Sequence, residues 1–249
     1  MRHRPGLLFA VLSTLTTCLA VDSHADGMNL TWGDGCWADN PQTVQTFACG
    51  SNTGSFSMTA SFSLTADFPG FSDMDVYLDL QSDAPNLPDW WQMCFAGGCR
   101  TGSINAAADF NAAPGGCTYA WPGSTPRASF VWRTFQWCDG NLVFSSPSRA
   151  QLFASFFNST AANLHHGTEY YAFRVTIDTQ KTAGSGVCGG CATPATIVLN
   201  TIHLFGSIQQ NLTTPLANTC LRWQAAGTTP CSATPVRNMT WGAIKSFYR

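Results

Sequence analysis

One stretch of this chain alternates without a fault. Phe56, Met58, Ala60, Phe62, Leu64 and Ala66 fall on one side of an extended backbone, and Ser55, Ser57, Thr59, Ser61, Ser63 and Thr65 on the other. A period of two marks a strand with one buried face. The pattern recurs at 73–81, where Met74, Val76, Leu78 and Leu80 oppose Asp73, Asp75, Tyr77, Asp79 and Gln81. It recurs again at 170–178, where Tyr171, Phe173, Val175 and Ile177 oppose Arg174, Thr176 and Asp178. Residues 196–205 are apolar on both sides, as in a central strand covered twice, and 128–137 reads as a further strand. Turn clusters at Phe68-Pro69-Gly70, Ala113-Pro114-Gly115-Gly116 and Cys138-Asp139-Gly140-Asn141 separate them. Strand after strand with turns between predicts an all-β chain, an antiparallel β-sandwich of jelly-roll character.

Helix signals are few. Ser148 and Gln151 frame a run of Leu152, Phe153, Phe156 and Phe157 that fits a capped helix or a strand equally. Thr240 as N-cap, with Trp241, Ile244 and Tyr248 at spacings of three and four and Lys245 and Arg249 in the last turn, predicts a short C-terminal helix.

Residues 1–25 read as a secretory signal peptide: Arg2, His3 and Arg4, then an apolar run from Leu7 to Val21, then Ser23-His24-Ala25 as cleavage site. The run is too short for a membrane helix, and no later stretch is apolar for as long. Residues 26–249 are then one exported β-sandwich domain, extracellular or periplasmic. Lipid anchoring through Cys18 is disfavoured, because Thr17 precedes it where a smaller residue is expected. Of 11 cysteines, loss of Cys18 leaves Cys36, Cys49, Cys94, Cys99, Cys117, Cys138, Cys188, Cys191, Cys220 and Cys231, an even set suited to five disulfides in an oxidising compartment. With 12 Lys plus Arg against 14 Asp plus Glu, there is no basic excess for nucleic acid or an anionic membrane.

No stretch matches a catalytic or cofactor motif of high specificity, so neither a catalytic residue nor a cofactor or metal ligand is assigned. Four constellations nevertheless call for a structural answer. Cys188-Gly189-Gly190-Cys191 has the spacing of a redox pair or a zinc half-site, but a strand follows it rather than the helix that would activate a thiol, which favours a structural disulfide. His165, His166 and Glu169 offer acid–base groups within a polar turn. Asp73, Asp75 and Asp79, with Asp83 and Asp89 beyond, place carboxylates on one strand face, where a calcium ion finds too few wrapping oxygens and a solvated face is the simpler reading. Trp90-Trp91 is a candidate sugar-stacking platform, set against the commoner role of tryptophan packed on disulfides. Asn29, Asn158, Asn211 and Asn238 open Asn-x-Ser/Thr sites.

Several pieces resemble a group of secreted bacterial proteins from environmental genomes, a group with no assigned activity. They include Leu30-Thr31-Trp32, Leu87-Pro88-Asp89-Trp90-Trp91, Cys99-Arg100-Thr101-Gly102-Ser103, the Cys188 to Cys191 motif, and Thr240-Trp241-Gly242 with Lys245, Ser246, Tyr248 and Arg249. The group often carries cysteines where Ala172 and Thr196 stand here, which implies a lost cross-strand bridge and places strand 170–178 beside 196–205. Its pattern also favours Cys99 with Cys117, leaving Cys94 with Cys138. We expect with these Cys36–Cys49, Cys188–Cys191 and Cys220–Cys231; the rival pairing is Cys94–Cys99 with Cys117–Cys138. The functional expectation is a non-enzymatic binding or envelope-associated module for a glycan or protein ligand. Its alternative is a secreted hydrolase using Glu169, His165, His166 or the Asp73 to Asp89 carboxylates.

Overall fold

The computed structural model describes residues 26–94, 97–108, 116–121, 125–134 and 146–224. Along the chain run β1 (Gly27–Trp32), β2 (Val44–Gln45), β3 (Ser55–Ser63), β4 (Phe68–Ser82), β5 (Ile104–Ala107), β6 (Thr118–Tyr119), β7 (Arg127–Thr134), β8 (Arg149–Leu164), β9 (Tyr170–Asp178), β10 (Ala195–Phe205), β11 (Gln209–Leu212) and β12 (Cys220–Trp223). They form two sheets. The five-stranded sheet runs β1-β3-β9-β5 with β6 also on β9; the seven-stranded sheet runs β2-β12-β10-β4-β8-β7 with β11 also on β10. Pairing is antiparallel except for β2 with β12 and β6 with β9.

The expected sandwich is therefore present, and its inner faces are those that the alternation marks except at the start of β9, where a register shift between Ala60 and Ser61 turns Tyr170 inward onto Phe62 and sends Tyr171, expected inside, to the outer side against Cys36 and Cys117. Phe62, Met74, Phe156, Phe173 and Ile177 are at most 1% exposed and meet between the sheets. The ambiguous run at 148–157 resolves as strand: β8 pairs β4 residue for residue from Arg149 against Gln81 to Phe157 against Asp73. Long-range pairing to a 15-residue neighbour outweighs a weak local helix signal, in a stretch rich in Phe, Ser and Asn. The expected strand at 128–137 is observed as β7 up to Thr134; residues 135–137, the C-terminal helix and the signal peptide lie outside the described residues.

Two further expectations fail. Strands 170–178 and 196–205 are not neighbours: β9 belongs to the five-stranded sheet and β10 to the seven-stranded one. The polar side of β3 is also not solvated, since Thr59 and Ser61 are 1% exposed and Ser63 4%. The segment after β1 folds back over this face. Thr31 Oγ1 accepts from Gln42 N at 2.8 Å, and Thr59 Oγ1 donates to the Gly33 carbonyl at 2.8 Å. The buried hydroxyls of β3 are met one by one, Thr59 by the backbone of that returning segment and Ser61 by the Glu169 carboxylate, while Ser63 Oγ has no hydrogen-bond partner among the described residues.

The disulfides follow the same long-range logic. Cys36 pairs with Cys117, Cys49 with Cys191 and Cys99 with Cys188. This corrects Cys36–Cys49, Cys99–Cys117 and Cys188–Cys191, and removes the rival pairing as well. The physical reason is that loops meeting at the sandwich surface bring together cysteines 81 to 142 residues apart, whereas the expected pairs were close in sequence. The two halves of the C-x-x-C bond to different partners. Gly190 between them has φ +94°, and a Cβ there would lie 2.3 Å from Pro88 Cβ, so only glycine lets this loop close onto the Pro88 segment. Cys94 and Cys220 are also disulfide-bonded; Cys138 and Cys231, their expected partners, lie outside the described residues. Cross-links of this kind belong to an oxidising compartment. Among the described residues no helix is long and apolar enough to cross a membrane.

Candidate functional site

The tryptophans meet inside the protein. Trp90 and Trp91, on a 3-10 turn at Asp89–Trp91, are each 0% exposed, which corrects their assignment to a sugar-stacking surface. The Trp90 ring stacks on Trp223 at 4.8 Å, and Trp91 meets Trp223 edge-on at 5.7 Å. Trp32 approaches Trp223 at 6.0 Å. Over the other face of this group lies Arg100, itself 0% exposed, with Cζ 3.8 Å from the Trp90 ring centre. Its Nε donates to the Gln180 carbonyl at 3.0 Å, Nη1 to the Trp90 carbonyl at 2.8 Å, and Nη2 to the Asp178 carbonyl. Burial lowers its pKa to about 10, against the opposing pull of Asp178, so the guanidinium stays charged at neutral pH. Sequence reading did not single out Arg100; an arginine between two cysteines and beside a tryptophan pair gives no local sign of burial.

The acid–base groups considered for a hydrolase are dispersed. Glu169 Oε1 accepts from Ser61 Oγ at 2.5 Å and from Asn29 Nδ2 at 3.3 Å, on the outer side of the five-stranded sheet. It lies within 4.8 Å of the sulfurs of Cys36 and Cys117, but these form a disulfide and supply no thiolate for a metal. His165 and His166 are exposed, and His166 Nδ1 lies 2.8 Å from Asp67 Oδ1. The His166 backbone N–H holds the Asp67 carboxyl below its usual range, with the His166 ring as the next cause. Asp73, Asp75 and Asp79 belong to the other sheet, so the groups share no cleft. Nor do the three aspartates enclose a cation. Asp75 Oδ1 accepts from Ser155 Oγ at 2.5 Å, Asp79 Oδ1 from Gln151 Nε2 at 2.8 Å, and Asp73 Oδ2 from Ser72 Oγ at 2.5 Å. Of the glycosylation-type sites, Asn29 and Asn158 are 3% and 4% exposed, while Asn211 is exposed; Asn238 lies outside the described residues. The void between the sheets, lined by Leu78, Trp132, Leu152 and Val175 among others, measures about 10 Å³, room for one water at most.

What remains is the outer face of the seven-stranded sheet, and it divides in two along the strands. Toward one end, the outward residues of adjacent strands are shut off from water: Asp79, Gln151, Thr196, Val198 and Thr201 are 1% to 6% exposed. Toward the other end Asp73, Asp75, Tyr77, Phe153, Ser155, His203 and Phe205 are half-buried, and Phe157 is 47% exposed. There the rings form a strip across β8, β4 and β10. Phe153 lies 5.0 Å from Tyr77, Tyr77 5.8 Å from His203, and His203 6.4 Å from Phe205. Arg133 Cζ sits 5.5 Å over the Phe153 ring, and the Asp75–Ser155 pair borders the strip. Partial burial, then the Asp75 charge, raise the Tyr77 pKa against the pull of Arg133. Burial also lowers the pKa of His203, with Asp75 opposing, so His203 is neutral at pH 7. Alternation places Tyr77 outward from the sequence alone. Phe153 and Phe157 escape because a helix reading of 148–157 groups them with Leu152 and Phe156, whereas a strand sends these pairs to opposite faces.

No protein-family model matches the chain, and no curated protein is similar to it. Among solved structures, a cohesin module from a family 33 glycoside hydrolase of Clostridium perfringens superimposes with a TM-score of 0.35 at 6% identity, over 80% of this chain and 98% of that one. The second type II cohesin module from the adaptor ScaA scaffoldin of Acetivibrio cellulolyticus gives 0.31 at 11% identity, over 87% and 98%. AvmM, which catalyses macrocyclization in alchivemycin A biosynthesis, gives 0.33 at 10% identity, over 84% and 92%. Likenesses this distant transfer neither ligand nor reaction.

Proposed function

We propose that this is an exported, non-enzymatic binding module that holds a neutral glycan on the open end of the outer face of its seven-stranded sheet. The observation that carries the reading is the strip of Phe153, Tyr77, His203 and Phe205. Aromatic bodies supply apolar contact area at low conformational cost. Asp75, Ser155 and the Tyr77 hydroxyl supply hydrogen-bonding groups for a hydroxyl-rich ligand. Across the sheet Arg127 of β7 lies in register with Asp73, and Arg133 with Asp79, each with one β8 residue between, so the surface carries no strong excess of either charge and favours an uncharged partner. The strip sits on long, paired strands in a disulfide-linked chain, a rigid platform of the kind that loses little entropy on binding. The dispersal of Glu169, the histidines and the aspartates argues against the hydrolase alternative.

The test is a screen of immobilised neutral oligosaccharides and insoluble polysaccharides against the intact protein and Y77A/F153A. Retention of the intact protein, abolished in the variant, is the expected result. Equal retention of both removes the strip from the account. Loss of all glycan binding alongside saturable binding to a purified protein replaces the ligand class.

A further inference from the structure

One charged group beside the aromatic strip has no acceptor of its own among the described residues. On β7, Trp132 points into the core, so Val131 and Arg133 on either side of it point outward, opposite Phe153 and Gln151 of β8. Arg133 Cζ stands 5.5 Å over the Phe153 ring. Its Nε is shut off from water without a hydrogen-bond partner, and among the described residues the guanidinium forms no ion pair. The acid in register with it, Asp79, is two strands away and accepts from the intervening Gln151 at 2.8 Å.

We propose that Arg133 is the specificity residue of this surface, donating to the acetamido carbonyl of an N-acetylated hexosamine unit whose sugar ring lies on Phe153 and Tyr77. The inference rests on the reading of the strip as a glycan surface, and it names the unit that the surface selects.

The protein shows at Arg100 how a guanidinium held on an aromatic ring is completed. Arg100 Cζ lies 3.8 Å from the Trp90 ring centre, and its donors end on three amide carbonyls, those of Trp90, Asp178 and Gln180. Arg133 on Phe153 has the ring without the carbonyls. A guanidinium offers five N–H donors in a fixed fork and no acceptor, so the group that completes it has to supply lone pairs. A sugar hydroxyl donates as well as accepts and is served equally by Asp75, Ser155 or the Tyr77 hydroxyl; an amide carbonyl only accepts. A carboxylate would also suit Arg133, but it meets repulsion here. Tyr77, directly across from Phe153, has its pKa raised by burial first and by the Asp75 charge next, so the Asp75 field reaches this end of the strip. The acetamido methyl finds apolar ground on half-buried Val131, in register with Phe153. A peptide carries amide carbonyls too, but extended peptides add to a sheet through a free strand edge, and β8 lies between β4 and β7.

The test compares two β-1,4-linked tetrasaccharides that differ only at the 2-position, tetra-N-acetylchitotetraose and cellotetraose, by calorimetric titration of the intact protein and of R133Q. A hydrogen bond from a charged donor corresponds to about tenfold in affinity. The intact protein should therefore prefer the acetylated tetramer by about tenfold, and in R133Q, shown by circular dichroism to keep its sheet content, the ratio should fall to about one. Equal affinities in the intact protein overturn the proposal and leave the glycan surface standing. Binding of neither tetramer, nor of any other neutral glycan, overturns both. An equal fractional loss for the two sugars in R133Q would show that Arg133 shapes the strip without reading the acetamido group, and overturns the proposal as well. So does tighter binding of a uronic acid tetramer, or of an N-acetylated peptide, than of the acetylated sugar. The comparison on the unaltered protein decides the selectivity even if R133Q fails to fold.

Discussion

Removing the Cys49–Cys191 bridge by the pair C49S/C191S should be costly in proportion to the chain it closes. With Cys36–Cys117 and Cys99–Cys188 left intact, the shortest covalent path between residues 49 and 191 runs from 49 to 36, across to 117, on to 99, across to 188, and so to 191. That ring holds about 37 residues, for which loop-closure entropy gives about 4 kcal/mol of stabilisation through the unfolded state. A bridge within Cys188–Cys191 would close only four residues and give about 2 kcal/mol by the same relation. For a domain of this size the larger figure corresponds to a fall in Tm of roughly 8–15 °C. Urea unfolding of the oxidised protein and of the double variant, followed by tryptophan fluorescence, measures the difference directly. A loss below about 1 kcal/mol, or a Cys188–Cys191 peptide in the native protein, would refute the reasoning.

Other perturbations probe the remaining links. Replacing Arg100 by Met strands the Trp90, Gln180 and Asp178 carbonyls in the interior and should cost roughly 3–5 kcal/mol in the same urea experiment; a cost under 1 kcal/mol would show that the knot is not a structural centre. Lys at this position should not restore stability, because one ammonium lacks the forked donors that reach three carbonyls. His203, held below its ordinary pKa by burial, binds its proton later than the unfolded chain does as pH falls. Its contribution is therefore complete above about pH 6.5 and lost as pH drops through the folded value. H203Q should flatten the stability profile between pH 7 and 5, and an unaltered slope excludes the assignment. Tyr77 and Tyr171 have raised pKa values, chiefly through burial, so stability should decline as pH rises above about 10, where unfolded tyrosines ionise first. Absorbance at the phenolate band should show delayed ionisation in the native protein.

Much of the fold is written in period-two patterning, and the reason is local: strand faces are read residue by residue. The alternation at 55–66 and 73–81 marks the inner faces of β3 and β4, and that at 170–178 marks β9 from Phe173 on, while the register shift opposite Ala60 and Ser61 puts Tyr170 rather than Tyr171 inside. What alternation does not carry is the third dimension beyond one sheet. The outward hydroxyls of β3 find partners far away in sequence, Thr59 at the Gly33 carbonyl and Ser61 at Glu169. Trp90 and Trp91 are buried because Trp223 and Arg100, more than a hundred and about ten residues away in sequence respectively, close on them. Cysteine partners are chosen by meeting loops, which is why all three pairings between described cysteines differ from those expected. The candidate site shows the same division. Tyr77 and Asp75 were legible as outward residues of one strand, while their union with Phe153 and His203 depends on the register of β8 and β10.

The most direct test of the binding account is a chemical-shift titration of the intact, isotope-labelled protein with the oligosaccharide that it retains best. The account predicts saturable shifts concentrated at Asp75, Tyr77, Phe153, Ser155, His203 and Phe205, with the buried Thr196 and Val198 unmoved. Shifts centred on the outer side of the five-stranded sheet, around Ser61 and Glu169, would contradict it.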